Sequence, residues 1–273
     1  IRDNQACLVG SEMCIRDSCS SGSVRKRLTL SRHRPPPDLD PATVLGAYAV
    51  GVFPMADARS APGVYWVEPK RRAILPLDGF HLSRSLRKTL RSERFVLTAD
   101  HAFDAVIALC AESASDRPET WINAPIERVF GDLHRAGFAH SIECWEDGEL
   151  VGGLYGLALG RAFFGESMVS RTADASKAAL AALVARLRVG GFTLLDCQFM
   201  TDHLASLGAV EIDRAAYMAL LGDALSGVVA ASASGASWLD RGADFLALDG
   251  AASTSVSGPL SGKAVVQLLA QTS

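Results

Sequence analysis

The chain has 273 residues, of which 49% are hydrophobic, so it can build one large domain or a small domain joined to a larger one. The formal net charge of −3 excludes a globally basic nucleic-acid-binding protein and restricts any nucleic-acid contact to a local basic surface. No stretch approaches the roughly 20 uninterrupted apolar residues of a membrane span, so we expect no membrane partner.

The six cysteines form no C-x-x-C pair. Outside the first 24 residues they are scattered, at Cys110, Cys144 and Cys197. This usage indicates a reducing compartment without a disulfide framework, so we expect a cytoplasmic protein. Because Cys and His rarely occur at paired spacings, we expect no metal site.

Four segments divide the chain. Residues 1–24 contain a string, Cys7 to Ser18, that resembles translated sequencing-adapter sequence, and we predict a non-native or disordered leader there. Residues 25–80 are predicted to form a small N-terminal domain and residues 81–224 a catalytic domain. Residues 225–273 are rich in Ala, Ser and Gly, which predicts a poorly ordered tail with one docked segment.

In chain order, Asp40 and Pro41 begin a first helix as N-cap and first helical residue, and Gly51 follows its end. Two short strands are predicted next, at 65–69 and 71–76. The pattern then predicts an amphipathic helix over 81–94, a strand over 95–98, and helices over 102–112 and 124–136.

Three strands joined by tight turns follow, over 140–146, 150–158 and 162–168, the first turn being Asp147-Gly148. The glycines at 152, 153 and 156 are costly inside a strand unless a bulge or a close ligand requires them. An Ala-rich helix ending at Gly190, a strand over 192–198, a short helix over 201–207 and a helix within 212–224 complete the pattern. This order predicts an α+β (mixed α/β) acyltransferase-like fold with a β-meander and a central mixed sheet.

The helix over 81–94 has one strongly basic face, formed by Arg84, Arg87, Lys88, Arg91 and Arg94. A run of charges at helical spacing is usually a solvated surface. The same cluster can also neutralise the phosphates of a nucleic acid. The residues alone leave both interpretations open.

Asp196 and Gln198 lie two residues apart in an apolar strand, so their side chains share one face. A carboxylate and an amide placed in this way can orient a reacting amine. The alternative is a strand end that reaches solvent. Glu166, at the end of the third meander strand, can bind a cationic substrate group or form an ion pair with Arg171.

Several apolar residues from separate segments can form either core or a substrate pocket: Trp66, Trp121, Leu154, Phe163, Met168 and Leu195. Core is the ordinary role of each one. A pocket requires that they converge near Asp196.

Eight short sequence motifs, taken together and in this order, resemble those of one protein family. They are Ala47-Tyr-x-x-Gly-x-Phe-Pro-Met55, Thr120-Trp-Ile122, Ala139-His-Ser-Ile-Glu143, Leu150-Val-Gly-Gly-Leu-Tyr-Gly156, Gly165-Glu-Ser-Met168, Ala175-Ser-Lys177, Leu195-Asp-Cys-Gln198 and His203-Leu-Ala-Ser-Leu-Gly-Ala209. From about Leu39 to Leu221 the chain resembles leucyl/phenylalanyl-tRNA–protein transferases of bacteria. It departs from the family at Trp66-Val-Glu-Pro69, where many members have Trp-Trp-Ser-Pro, and at Val169, where they have Phe.

The resemblance implies a small N-terminal domain and a larger GNAT-like acyltransferase domain. It implies transfer of Leu or Phe, and less readily Met, from aminoacyl-tRNA to the N-terminal Arg or Lys of a protein, which marks that protein for N-degron degradation. Aminoacyl-tRNA is the donor, so no cofactor is expected, and a monomer is expected.

The resemblance also assigns roles. It implies three catalytic residues: Asp196, Gln198 and Glu166. Gln198, polarised by Asp196, would orient the acceptor amine. Glu166 would bind the positive acceptor side chain together with Asp196. The six apolar residues named above become the donor side-chain pocket, and the basic face over 84–94 becomes the tRNA-binding surface. Two competing interpretations are a GNAT-like transferase with another donor or acceptor, and a tRNA-binding protein without catalysis.

Overall fold

The computed structural model describes residues 39–112, 120–233, 243–252 and 259–271. The predicted leader over 1–24 lies outside the described residues. The described helices are α1 (Pro41–Ala49), α2 (Arg84–Arg91), α3 (Phe103–Ala111), α4 (Ala124–Arg135), α5 (Ala175–Val189), α6 (Asp202–Ser206), α7 (Arg214–Ala233), α8 (Ala247–Ala252) and α9 (Gly262–Ala270). The described strands are β1 (Phe53–Met55), β2 (Tyr65–Val67), β3 (Arg71–Ile74), β4 (Val96–Ala99), β5 (Ala139–Glu146), β6 (Glu149–Leu159), β7 (Ala162–Ser170), β8 (Leu194–Gln198) and β9 (Val210–Asp213).

Seven strands form one mixed sheet in the order β4-β5-β6-β7-β8-β3-β9, and β1 and β2 form a separate antiparallel pair. Neighbouring strands of the large sheet are antiparallel except β7 and β8, which are parallel. The Ala-rich α5 connects these two, as a parallel pair requires. The predicted α+β fold with a meander and a central mixed sheet is therefore confirmed.

The sheet lies between two apolar layers. Residues of α2, α5 and α9 pack on one face and form what we call the α5 cluster. Residues of α1, α3, α4 and α7 pack on the other face and form the α1 cluster. Among the described ranges, no helix combines the length and the apolar character needed to cross a bilayer.

Local capping explains where the helices that flank the site begin. The Asp40 carboxylate accepts a hydrogen bond from the Thr43 backbone N at 2.9 Å, as predicted for an N-cap. The basic helix α2 is shorter than predicted because the Ser83 hydroxyl caps it, accepting from the Leu86 backbone N at 3.2 Å. The helix predicted within 212–224 is confirmed as α7, and the residues that precede it pair with β3 as strand β9.

The C-terminal region differs from the prediction of one docked segment. Both α8 and α9 pack on the domain, with Leu248 buried before the end of α8 and Val265 buried in α9. The boundary between the two proposed domains at residue 80 stays a prediction. In the structure β3, from the proposed N-terminal domain, lies between β8 and β9 of the large sheet.

Candidate active site

The three predicted catalytic residues meet where the C-terminal end of β8 lies beside the middle of β7. The side chains of Glu166, Asp196 and Gln198 have no exposed surface. Gln198 donates from Nε2 to Oε1 of Glu166 at 2.9 Å. The structure thus brings together two residues that are 32 positions apart in the sequence.

Glu166 lies at a β-bulge of β7. In the pairing of β6 with β7, Tyr155 lies opposite Ser167 and Gly156 lies opposite Gly165, so Glu166 is the extra residue of the bulged strand. A bulge re-aims side chains along its strand. Phe164, before the bulge, packs in the α1 cluster, whereas Met168, after it, packs in the α5 cluster, and Glu166 reaches Gln198 on β8.

Gly156 makes this bulge possible. A Cβ atom at this position would lie 2.3 Å from the backbone O of Phe164, which is closer than real contacts allow. The sequence prediction that strand glycines indicate a bulge or a close ligand is confirmed at this position by the bulge itself.

Asp196 is held by three partners. Arg72 donates to it from two nitrogens, Nε to Oδ1 at 2.9 Å and Nη2 to Oδ2 at 2.6 Å. The Tyr217 hydroxyl donates to Oδ2 at 2.9 Å, and the Gln198 backbone N donates to Oδ1 at 2.8 Å. Both carboxylate oxygens are therefore occupied by the protein, so Asp196 is arranged to position its neighbours.

This arrangement corrects the predicted link between Asp196 and the Gln198 side chain. Asp196 bonds the backbone of Gln198, whereas the amide side chain bonds Glu166. The physical reason is the backbone of Gln198, whose φ of 63° is in the left-handed region and turns the end of β8 out of its regular alternation. Glu166, rather than Asp196, is the carboxyl that can polarise this amide.

Arg72 was not among the predicted site residues. It is 1% exposed, and its guanidinium lies 4.6 Å from the ring centre of Phe53 and 4.7 Å from that of Tyr217. Although burial opposes its charge, the neighbouring Asp196 raises the pKa of Arg72 above its ordinary value. The ion pair ties β3 to β8 at the centre of the site.

Two signals in the sequence point to Arg72. Arg71 and Arg72 are consecutive in a strand, so one of them must share the inward face with Ile74. In addition, a lone carboxylate such as Asp196 in an apolar strand needs a partner when it is buried.

The polar cluster has unsatisfied groups. Oε2 of Glu166, Oε1 of Gln198 and the hydroxyl of Tyr48 are buried and make no hydrogen bond to the described residues. Tyr48 faces the Glu166 carboxyl, but outside hydrogen-bonding geometry. Buried polar atoms are nearly always paired, so these three indicate a place where a bound molecule or water is expected.

Burial raises the pKa of Glu166 from its ordinary value of 4.5 to about 8, because desolvation penalises the carboxylate more than the neighbouring Tyr48 and Gln198 favour it. Near neutral pH this carboxyl is therefore largely protonated in the absence of a cation. A cationic group placed beside it would favour the ionised form. Such a site can couple binding of a positive ligand to release of a proton.

The raised pKa of Glu166 predicts a pH dependence of stability. Between pH 4.5 and about 8 the folded protein holds a proton that the unfolded chain has lost, so this residue lowers stability as pH rises and has no further effect above about 8. We expect the parent to lose up to about 1.4 kcal/mol per pH unit relative to Glu166→Gln in this window. Urea unfolding of both proteins from pH 5 to 8 measures the difference, and parallel curves would contradict the assignment.

Four of the six residues predicted for the donor pocket pack together in the α5 cluster: Leu154, Phe163, Met168 and Leu195. Each is at most 1% exposed. Because Leu195 and Asp196 alternate across β8, these four lie on the sheet face opposite Asp196. Trp121 packs in the α1 cluster, and Trp66 on β2 is 40% exposed, so the structure does not bring the two tryptophans to the other four.

The predicted basic face is present on α2. A surface depression of about 680 Å³ is lined by Arg84, Arg87, Lys88, Arg91 and Ser92. Arg94, the fifth predicted cation, instead pairs with Glu146 and covers the ring of Phe95. The alternative partner considered for Glu166, Arg171, pairs with Glu112.

No group of three or more His, Cys, Asp or Glu residues in the described ranges has a geometry that could hold a metal ion.

Two family models match the chain in sequence order. The N-terminal domain of leucyl/phenylalanyl-tRNA protein transferase matches residues 37–70, and leucyl/phenylalanyl-tRNA protein transferase matches residues 74–222. The chain belongs to the leucyl/phenylalanyl-tRNA–protein transferase family. The resemblance read from the ordered strings is confirmed, and the protein is accordingly a transferase.

Proteins with similar sequences carry the name of the same family. The leucyl/phenylalanyl-tRNA–protein transferase of Rhizorhabdus wittichii is 61% identical over 247 residues, which cover 86% of this chain and 99% of that protein. The one of Zymomonas mobilis is 63% identical over 188 residues, which cover 69% of this chain and 70% of that protein. Among solved structures, L-PGS from Bacillus licheniformis has a TM-score of 0.39 and 11% identity over 57% of this chain and 65% of that one, too low a similarity to support an assignment.

Proposed function

We propose that this member of the leucyl/phenylalanyl-tRNA–protein transferase family transfers Leu or Phe, and less readily Met, from aminoacyl-tRNA to the N-terminal Arg or Lys of acceptor proteins. The product has a new destabilising N-terminus, which marks it for N-degron degradation. The enzyme acts in the cytoplasm as a monomer with a GNAT-like catalytic domain and without a cofactor.

The observation that carries this proposal is the Glu166–Gln198 pair. It offers two unused oxygens, one carboxyl and one amide, inside a buried site. An N-terminal Arg or Lys brings an α-amine and a side-chain cation, which are donors that match these two acceptors. Asp196, neutralised by Arg72, supports the backbone that carries Gln198.

The reaction needs little covalent participation by the protein. The lone pair of the neutral α-amine attacks the ester carbonyl of the aminoacyl-adenosine, and the C–N bond forms as the C–O bond to the ribose breaks. The leaving ribose oxygen takes the proton that the amine loses, so the products are a peptide bond and deacylated tRNA. Oε1 of Gln198 accepts a hydrogen bond from the amine and fixes its direction, and such positioning can supply most of the acceleration for an activated ester.

Glu166 supports acceptor selection. Its carboxyl is buried and protonated easily, so it ionises favourably only when a cationic side chain arrives. A neutral N-terminal residue would leave this carboxyl without a partner charge. The site therefore favours Arg and Lys over neutral residues of similar size.

We propose Trp121 as the contact for the donor side chain, because it packs in the α1 cluster on the sheet face of Asp196. Leu154, Phe163, Met168 and Leu195 are buried on the opposite face, so they are better explained as core than as a donor pocket. Discrimination between Leu, Phe and Met by such apolar contacts is modest, on the order of 1–3 kcal/mol per methylene.

A transfer assay tests the function. The protein is mixed with a peptide that begins with Arg, and with Leu-tRNA, Phe-tRNA, Met-tRNA or acetyl-CoA as donor, and the peptide mass is followed. We expect addition of one Leu, Phe or Met residue and no acetylation. A peptide that begins with Ala is the matched acceptor control, and absence of transfer from all three charged tRNAs would overturn the proposal.

The basic face of α2 predicts a salt effect on tRNA binding. The triple variant Arg84/Arg87/Arg91→Ala removes three cations around the depression, so we expect weaker tRNA binding and a slope of log K against log salt that is less steep by about 2 to 3. Phosphate contacts of this kind carry no base specificity, which suits an enzyme that accepts several tRNAs.

Arg94→Ala is the matched control for this variant, because Arg94 is already paired with Glu146. We expect it to change the slope by less than one unit. A triple variant with the parent slope would exclude α2 from the tRNA surface.

A further inference from the structure

The C-terminal helix α9 lies directly against the basic helix α2. A Cβ atom at Gly262 would lie 2.0 Å from the backbone O of Leu90, so the first turn of α9 touches the last turn of α2 backbone to backbone. Leu260 donates from its backbone N to the O of Leu97 in β4 at 2.9 Å. These contacts place α9 at the C-terminal end of α2, whose length lines the depression.

The apolar side of α9 anchors it in this position. Val265, Val266 and Leu269 are buried in the α5 cluster, and Arg188 of α5 donates to the backbone O of Leu269 at 3.2 Å. The Ser261 hydroxyl caps the helix by accepting from the Ala264 backbone N at 3.2 Å. The exposed side of α9 therefore has a fixed orientation.

One cation on this exposed side meets the acidic residue that follows α2. Lys263 Nζ lies 2.8 Å from Oε2 of Glu93. Glu93 is the only acidic residue in the sequence between positions 84 and 94, and it comes directly after Ser92, which lines the depression. None of the four cations that line the depression forms an ion pair within the described part of the chain.

This ion pair has little to contribute to folding. The side chains of Lys263 and Glu93 are 65% and 41% exposed, and ion pairs at such exposure change stability by at most about 1 kcal/mol. Its electrostatic effect on a polyanion is different. A free carboxylate within about 8 Å of bound phosphates repels them at physiological ionic strength, and a lysine beside it removes that repulsion.

We propose that α9 is part of the tRNA-binding surface, where Lys263 neutralises Glu93 and keeps the basic depression of α2 attractive to phosphates. The inference rests on the proposed function, because it takes tRNA as the polyanion. It assigns a role to a helix that lies outside the two segments matched by the family models.

The test is a double-mutant cycle in the full-length protein, with Lys263→Gln, Glu93→Gln and the double variant. The dissociation constant of deacylated leucine tRNA is measured at 50 and 200 mM salt. At the lower salt we expect Lys263→Gln to raise the constant about threefold, because it exposes the Glu93 carboxylate, and Glu93→Gln to change it by less than about 1.5-fold, because Lys263 already neutralises that carboxylate. In the Glu93→Gln background the lysine substitution is expected to change it by less than about 1.5-fold.

Arg135→Gln is the matched control, because Arg135 is 67% exposed and pairs with Asp132 on α4, which packs on the opposite face of the sheet. It removes one positive charge without touching this surface, so the parent affinity is expected. An unchanged affinity of Lys263→Gln, or an equal effect with and without Glu93, would overturn the inference. Either result leaves the proposed function standing if the parent transfers Leu from Leu-tRNA, whereas a parent that does not transfer overturns the function itself.

Discussion

Replacing Arg72 by Met is expected to destabilise the protein by about 3–5 kcal/mol and to reduce transfer at least 100-fold. The substitution leaves the Asp196 carboxylate buried with no positive partner, which is among the costliest changes that a core can suffer. Activity falls with it, because Asp196 holds the backbone N of Gln198. Urea unfolding and the peptide transfer assay measure the two effects.

Arg71→Met is the matched control on the same strand. Arg71 is exposed and pairs with Glu211, so its loss is expected to cost less than about 1 kcal/mol. The variants differ by one position and by the side of β3 that they occupy. Equal costs at the two positions would contradict a special role for the buried pair.

Arg72→Met combined with Asp196→Asn separates stability from activity. Replacing both charges by neutral groups of similar size is often close to neutral for stability, so we expect most of the lost stability to return. The Asn amide also retains an oxygen that can accept from Tyr217. Activity is expected to stay low, because the Arg72–Asp196 ion pair that orients the end of β8 is gone. Full recovery of transfer would show that the ion pair acts only through folding.

The sequence was informative where the chemistry is local. Asp196 and Gln198 are two residues apart in a strand, and that spacing was enough to suggest a site. Gly156 in the middle of β6 indicated a bulge, which the structure places beside Glu166. The caps at Asp40 and the turn at Asp147 likewise depend only on neighbouring residues.

Other features depend on distant contacts. Arg72 precedes Asp196 by 124 positions, and the pair forms because β3 lies between β8 and β9, an order that strand patterns do not determine. The left-handed backbone conformation of Gln198 cannot be predicted from the sequence either, because Gln has no particular preference for that conformation. The predicted route from Asp196 to the Gln198 amide was wrong for this reason.

The C-terminal region shows the same limit. Its Ala, Ser and Gly content predicted a poorly ordered tail with one docked segment, whereas two segments dock in the described part: Phe245 stacks on the ring of Phe163 with a centroid distance of 5.6 Å, and α9 packs against α2. Composition averages over a segment, whereas docking depends on a few residues such as Val265 that find an apolar surface. The contact of α9 with α2, on which the proposed role of α9 depends, is therefore visible only in the structure.

The substitution Gln198→Asn is expected to reduce kcat/KM for transfer about 100-fold and to cost about 1–3 kcal/mol of stability, because the buried hydrogen bond to Glu166 is lost. Asn tolerates the left-handed backbone better than other non-glycine residues, so the φ of 63° is kept at no cost. The amide, however, becomes one methylene shorter, and its oxygen no longer reaches the acceptor amine. Misplacing or removing one such group at a reaction centre typically costs 10²–10³ in rate.

A matched comparison identifies what Gln198 does. Glu166→Gln keeps an acceptor for the Gln198 amide but removes the charge, so we expect it to lower the preference for Arg over Ala acceptors while Gln198→Asn lowers both rates in proportion. Thermal unfolding checks that each variant is folded. Parent-like transfer by Gln198→Asn would show that the amide does not direct the amine, and the attack would then depend on groups other than the Glu166–Gln198 pair.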